Sequence, residues 1–133
     1  MPESVKLTKP SSLALYNRAA EKSSAVVIAQ YSTSFGWATK LLGKYERGRV
    51  RNIYAMVRVA DEIVDGAAAE ALNKYIGTEP HAMLDKFEQE TYRAMECGFS
   101  TNLVIHAFAL TAREVGIKRD IVQPFFNSMR TDL

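Results

Sequence analysis

Residues 53–66 decide the fold, and they read IYAMVRVADEIVDG. When successive residues are turned by about 100° around a helix, Tyr54, Arg58, Asp61 and Asp65 fall within about 40° of one line. Arg47, which precedes Tyr54 by seven residues in the same predicted helix, falls on the same line. Apolar residues occupy most of the remaining circumference, namely Ile53, Met56, Val57, Val59, Ala60, Ile63 and Val64. The segment therefore predicts a helix with a broad apolar surface and one narrow line of polar residues, called here the polar stripe (Arg47, Tyr54, Arg58, Asp61 and Asp65).

This pattern is the reverse of an ordinary surface helix, in which the apolar stripe is limited and the polar face is broad. Burying charged groups is costly unless they are paired or bind a metal. The polar stripe is therefore expected to line a polar cavity inside a helical bundle, where bundles build ligand and metal sites. The alternative is a solvated face, on which Arg58 pairs with Asp61 and Asp65 lies near solvent at the helix end.

The two aspartates of the stripe have a spacing that suits a metal ion. Among the 15 acidic residues, only Asp61 and Asp65 stand four apart, with Glu62 beside them. Magnesium takes one or two carboxylates and completes its coordination with water and substrate phosphate oxygens. Arg58 on the same line would bind phosphate oxygens through its guanidinium group. The four residues Tyr54, Arg58, Asp61 and Asp65 therefore predict a site for a diphosphate and a metal ion.

The rest of the chain also has helical periodicity. Glycine and proline are scarce, with seven and four residues that punctuate the chain, and no strand pattern between hairpin turns competes with the helical stretches. Ser11 or Ser12 and Thr101 or Asn102 are predicted N-caps, and Gly66 and Gly116 are predicted ends. The expected helical stretches are residues 11–19, 25–42, 46–65, 80–98, 102–115 and 120–133. We predict an all-α domain over residues 11–133, preceded by a flexible arm over residues 1–10.

Composition excludes several classes of protein. The 133 residues carry 17 basic and 15 acidic side chains, and this net charge of +2 argues against a nucleic-acid partner. Cys97 is the only cysteine, which excludes an internal disulfide and a cysteine-rich zinc site. The longest apolar run, residues 25–29, is far shorter than the ~20 residues of a membrane-spanning helix. We expect a cytoplasmic protein.

Three segments together resemble the squalene/phytoene synthase family. Residues 53–66 resemble its first aspartate-rich region, in a form closer to the phytoene synthases than to the animal squalene synthases. Residues 31–35 (YSTSF) resemble the family's Ser-x-Ser-Phe segment, and Arg47 takes the place of an arginine that follows it. Residues 124–133 (PFFNSMRTDL) resemble the stretch ending in Gly-Met-Arg-x-Asp-Leu. Gly43 and Ser128 depart from the family's usual proline and glycine.

The resemblance implies an all-α helical bundle of the type I isoprenoid synthase kind. It further implies an enzyme that joins two geranylgeranyl diphosphates head to head, through prephytoene diphosphate, to give phytoene for carotenoid biosynthesis. The implied cofactor is Mg²⁺, with Mn²⁺ as a substitute. A squalene or dehydrosqualene synthase is one alternative, and a non-catalytic helical assembly module with the same fold is another.

Roles for single residues follow from the same resemblance. Asp61 and Asp65 are expected to hold the metal ion, with Glu62 as a helper. Arg58 is expected to bind diphosphate, and Tyr54 to donate a hydrogen bond to it or to face the substrate cation.

Four more residues are expected to bind substrate. Ser34 and Phe35 fall where the family's segment borders the substrate, and Tyr31 is their neighbour. The alternative for Phe35 is an aromatic residue of the packed core. Arg47 is expected to bind substrate or to act in a structural ion pair.

Enzymes of this family are longer and carry a second aspartate-rich motif, whereas the 133 residues contain no second pair of this kind. The resemblance therefore implies the N-terminal portion of a synthase, with a bundle incomplete on its C-terminal side and no activity alone. Self-association through an exposed apolar face is expected. Peripheral membrane contact during release of an apolar product is expected as well.

Overall fold

The structure is a computed structural model, and it describes residues 11–31, 43–72 and 79–133. The helices are α1 (Ser12–Tyr31), α2 (Lys44–Asp65), α3 (Ala67–Ala71), α4 (Glu79–Cys97), α5 (Leu103–Val115) and α6 (Arg119–Thr131). Within these segments every regular element is helical, which confirms the all-α prediction. The arm predicted over residues 1–10 and the helical stretch predicted over residues 32–42 lie outside the described residues.

Local capping explains where several helices begin and end. The Ser11 hydroxyl accepts a hydrogen bond from the Ala14 N–H group at 3.0 Å. The Asn102 side chain accepts one from the Ile105 N–H group at 3.1 Å. Gly116 ends α5 with a φ of 81°, a left-handed conformation that favours glycine. These ends confirm the positions predicted from the sequence.

The extent of α1 and the conformation at the end of α2 differ from the prediction. Helix α1 is continuous from Ser12 to Tyr31, although the sequence predicted separate stretches over residues 11–19 and 25–42. No glycine or proline interrupts it, and the Ser23 hydroxyl donates to the Ala19 carbonyl at 2.9 Å within the helix. Gly66 ends α2 as predicted, but its φ is −146°, so the helix does not close with a left-handed cap.

Helix α2 lies at the centre of the packing. It contacts α1 and α5 on one side, and α4 and α6 as well. Met56 and Ala60 of α2 belong to a buried core that includes Leu84, Phe108 and Phe126. The other apolar residues of the predicted surface pack against this core, namely Ile53, Val57, Val59, Ile63 and Val64. The broad apolar surface predicted for this helix is therefore confirmed.

Within the described segments, no helix combines the length and apolar character that crossing a membrane requires.

A buried histidine joins α1 to α5. The side chain of His106 is fully buried, and its Nδ1 atom accepts a hydrogen bond from the Ser100 N–H group at 3.1 Å. Its proton therefore resides on Nε2, which donates to the Asn17 Oδ1 atom at 2.7 Å. Burial lowers the pKa of His106 because the charged imidazolium loses hydration. The imidazole is thus held neutral, with both nitrogen atoms in use.

We expect the free energy of unfolding to fall as the pH is lowered from about 7.5 to 5.5. The pKa of His106 is lower in the folded chain than in the unfolded chain, so the unfolded chain binds more protons in this range. The stability that neutral His106 contributes to the folded chain is fully present above about pH 6.5, the ordinary pKa of histidine. It is lost as the pH falls further. Urea unfolding of the wild type and of His106→Gln at both pH values measures it.

The variant His81→Gln is the matched control, because His81 is exposed on α4. Arg93 and then Ser100 lower the pKa of Glu90 to about 2, so its protonation destabilises the fold only below the tested range. An equal pH dependence in the wild type and in His106→Gln would contradict the prediction.

Candidate functional site

The polar stripe runs along α2 from half-buried positions to solvent. Arg47 and Tyr54 are half-buried, and the side chain of Arg58 is 29% exposed. The side chain of Asp61 is 40% exposed, and Asp65, at the last residue of α2, is exposed. The helix therefore places Arg58 deeper than Asp61 and Asp65.

Arg58 contacts two carboxylates and an aromatic ring. Its Nη1 atom lies 3.2 Å from Asp61 Oδ2, and its Nη2 atom donates to Glu62 Oε2. The ring of Tyr31, the last residue of α1, lies 4.9 Å from the guanidinium carbon. The hydrogen bond to Glu62 raises the pKa of Arg58, with smaller contributions from the charges of Glu62 and Asp61. Arg58 Nε is buried and has no hydrogen-bond partner among the described residues.

Glu62, which the sequence predicted as a helper of the metal site, binds two groups of the protein itself. Its Oε2 atom binds Arg58, and its Oε1 atom accepts from the Ala67 N–H group at 2.9 Å. These bonds, first that of Arg58 and then that of Ala67, lower the pKa of Glu62. A Cβ atom on Gly66 would collide with this carboxylate. Glu62 therefore ties the end of α2 to the start of α3.

Asp61 and Asp65 remain as the carboxylates with room for a metal ion. Within the described segments, Asp65 takes part in no ion pair, and Asp61 contacts Arg58 through one oxygen. The same segments contain no cluster of three or more His, Cys, Asp or Glu side chains that could hold a metal. Two hard oxygen donors one turn apart fit Mg²⁺, which draws its other ligands from water and substrate.

The structure describes the positions of most predicted site residues but not of all of them. It places the ring of Tyr31 against the guanidinium group of Arg58, a contact that the sequence did not predict. Ser34 and Phe35 lie outside the described residues. Three cavities among the described residues, of about 490, 410 and 300 Å³, are lined by other side chains.

Observations support each of the two interpretations of the polar stripe, the solvated face and the polar cavity inside the bundle. The Arg58–Asp61 pair and the exposed Asp65 are features of the solvated face. The aromatic ring over Arg58 and the burial of its Nε atom are features of polar residues that line the interior of a bundle.

The fold and the stripe define an all-α protein whose central helix carries a line of arginine, tyrosine and aspartate side chains. The squalene/phytoene synthase family model matches residues 28–133, a span that contains every predicted site residue. The chain belongs to the squalene/phytoene synthase family. Comparison with curated proteins and with solved structures gave no match.

Proposed function

We propose that this chain forms the wall of a prenyltransferase site that carries the first aspartate motif. The enzyme joins two geranylgeranyl diphosphates head to head to give phytoene, through prephytoene diphosphate. Membership of the family supports the reaction class. The observation that carries the proposal is the alignment of Arg58, Asp61 and Asp65 on one side of α2, with Tyr31 packed on the arginine.

The donor set fits Mg²⁺, and Asp61 and Asp65 are the residues that hold it in this proposal. When bound, the cation polarises the phosphate oxygens of the leaving diphosphate. Mn²⁺ has similar preferences for oxygen ligands and would replace it. Glu62 acts through Arg58, because its carboxylate already binds the guanidinium group and the Ala67 N–H group.

The chain's own residues bind the diphosphate and shield the reacting carbon from water. Arg58 offers to a phosphate oxygen the N–H groups of its guanidinium that do not bind Asp61 or Glu62. Tyr54 lies one turn before Arg58 and donates to the same diphosphate or faces the developing cation. Tyr31 covers the guanidinium group and reduces its contact with water. Ser34, Phe35 and Arg47 complete the substrate side of the proposed site.

A second candidate is a non-catalytic helical module with the same fold. The observation in its favour is that Arg58 is already paired with Asp61 and Glu62. A squalene or dehydrosqualene synthase is the alternative within the family, and it uses the same stripe.

Product analysis tests the proposal. We expect no phytoene when the purified 133-residue chain is incubated alone with geranylgeranyl diphosphate and Mg²⁺, because it carries only one aspartate pair. We expect phytoene when the chain is joined to a family C-terminal portion that carries the second aspartate-rich motif. The control is the same C-terminal portion without this chain.

Each other outcome selects another candidate. A squalene-type product from farnesyl diphosphate, with no phytoene, would favour the squalene or dehydrosqualene synthase. A folded joined protein without either product would favour the non-catalytic module. Phytoene formation by a monomeric 133-residue chain alone would contradict the requirement for a second wall.

A further inference from the structure

A second concave region lies between the C-terminal half of α4 and the connection from α5 to α6. It encloses about 410 Å³, and no residue of the polar stripe lines it. Met95, Ala112 and Ile117 contribute an apolar surface to this cavity. Ala112 is buried and Met95 and Ile117 are half-buried, so this surface is part of the packed protein. We call the region the α4–α6 cavity.

Positive charge surrounds the α4–α6 cavity. Arg113, Lys118 and Arg119 line it, and Glu96 is the one acidic residue among its lining side chains. Among the described residues, none of the three basic side chains forms an ion pair with a carboxylate. The excess charge is therefore available to an anion that enters the cavity.

Two of these basic groups are held in place by neighbours that do not neutralise them. The Nη1 atom of Arg113 donates to the carbonyl oxygens of Met95 at 3.0 Å and Glu96 at 2.9 Å. The guanidinium carbon of Arg119 lies 4.2 Å from the centroid of the Tyr92 ring. Stacking occupies one face of the Arg119 guanidinium and leaves its N–H edges able to donate. Both arginines are thus oriented before any ligand arrives, which lowers the entropy cost of binding.

The larger cavity, between α1, α2 and α5, lacks this excess of positive charge. Its basic residues Lys44 and Arg49 are matched by Glu21 and Glu114, and Arg49 forms an ion pair with Glu114 at 2.7 Å. Only the α4–α6 cavity, of these two, combines an apolar surface with unbalanced positive charge.

We propose that the α4–α6 cavity binds a phosphate group that carries an apolar substituent. Phosphate oxygens accept hydrogen bonds from Arg119 and Lys118, and the nitrogen atoms of Arg113 that do not bind carbonyl oxygens add a third donor group. The apolar substituent lies on Met95, Ala112 and Ile117. The phosphate comes either from a free phosphate compound or from the headgroup of an anionic phospholipid. The proposal does not depend on the polar stripe or on the proposed function.

The test is a titration of the full 133-residue chain followed by amide NMR spectra. One arm uses inorganic phosphate, and a second uses vesicles of phosphatidylcholine and phosphatidylglycerol at about 7:3, whose negative surface attracts basic segments. Pure phosphatidylcholine vesicles are the blank. All samples contain EDTA, so divalent cations cannot bind the aspartates of the stripe.

The variant is Lys118→Gln with Arg119→Gln, and the matched control is Arg18→Gln with Lys22→Gln. The control removes the same charge from exposed positions on α1. We expect at least about a tenfold loss of affinity in the first pair and less than about a twofold change in the second. Asp61→Asn should bind as the wild type does, which separates this proposal from the one for the stripe.

Spectra of the wild type locate the site even if the double variant is unstable. Chemical-shift changes centred on Tyr92, Arg113 and Lys118 support the proposal. If these changes appear with inorganic phosphate, a free anion is sufficient for binding. If they appear only with anionic vesicles, the ligand is the lipid headgroup. Absence of binding in both arms, changes centred elsewhere, or an equal loss of affinity in the control pair would overturn it.

Discussion

Asp61→Asn or Asp65→Asn lowers phytoene turnover by at least about 10²-fold in an active synthase that contains this chain. Each substitution removes the charge of a proposed metal ligand and changes the side-chain volume little. Both carboxylates are accessible in the structure, and Asp65 belongs to no ion pair within the described residues. The fold should therefore tolerate either change. Steady-state turnover with geranylgeranyl diphosphate and Mg²⁺ measures the effect, and circular dichroism checks that the helices are intact.

Asp120→Asn is the matched control, since it removes the same charge from an exposed aspartate on α6. Glu62→Gln provides a useful comparison, because it weakens the contact to Arg58 and leaves the aspartate pair unchanged. Its effect on turnover should be smaller than that of either aspartate variant. Normal turnover in Asp61→Asn or Asp65→Asn would contradict the proposed role of that aspartate as a metal ligand.

Arg130→Met lowers the free energy of unfolding by about 3 kcal/mol, because it leaves a buried carboxylate without its cation. The side chain of Glu88 on α4 is only 5% exposed and forms an ion pair with Arg130 of α6. Arg130 also binds Asp85 Oδ1 through its Nε atom at 3.0 Å and Asn127 Oδ1 through its Nη1 atom at 2.9 Å. The Tyr92 hydroxyl donates to Glu88 as well, but it does not supply a positive charge. Urea unfolding at neutral pH measures the loss.

Arg49→Met is the matched control for this substitution. Arg49 and Glu114 also form an ion pair, but their side chains are 39% and 51% exposed. Water screens such a pair, so we expect a loss of less than about 1 kcal/mol. Combining Arg130→Met with Glu88→Gln should recover part of the stability, because the buried charge is then absent. Equal losses in Arg130→Met and Arg49→Met would contradict the account of the buried pair.

The helical features that depend on neighbouring residues were predictable from the sequence. Ser11, Asn102 and Gly116 mark helix ends because capping is decided within a few residues. The broad apolar surface of α2 followed from periodicity, since residues on one side of a helix recur every three or four positions. The separation predicted within α1 was wrong, because residues 12–31 contain no glycine or proline and form one continuous helix.

The features that depend on distant residues were not predictable in the same way. Glu88 pairs with Arg130 from another helix, and no pattern within either helix indicates the partner. The partial exposure of Asp61 depends on which elements pack beside α2. The contact of Arg58 with Glu62 is different, because their spacing of four residues is a recognised helical pair and could have predicted it.

The most direct test of the central claim uses Mn²⁺ as a paramagnetic substitute for Mg²⁺. Amide NMR spectra of the 133-residue chain are recorded with diphosphate while a small amount of Mn²⁺ is added, a measurement that detects even weak binding. We expect line broadening centred on Arg58, Asp61 and Asp65, and its loss in the double variant Asp61→Asn with Asp65→Asn. Broadening that is centred on other acidic residues, or that persists unchanged in the double variant, would contradict it.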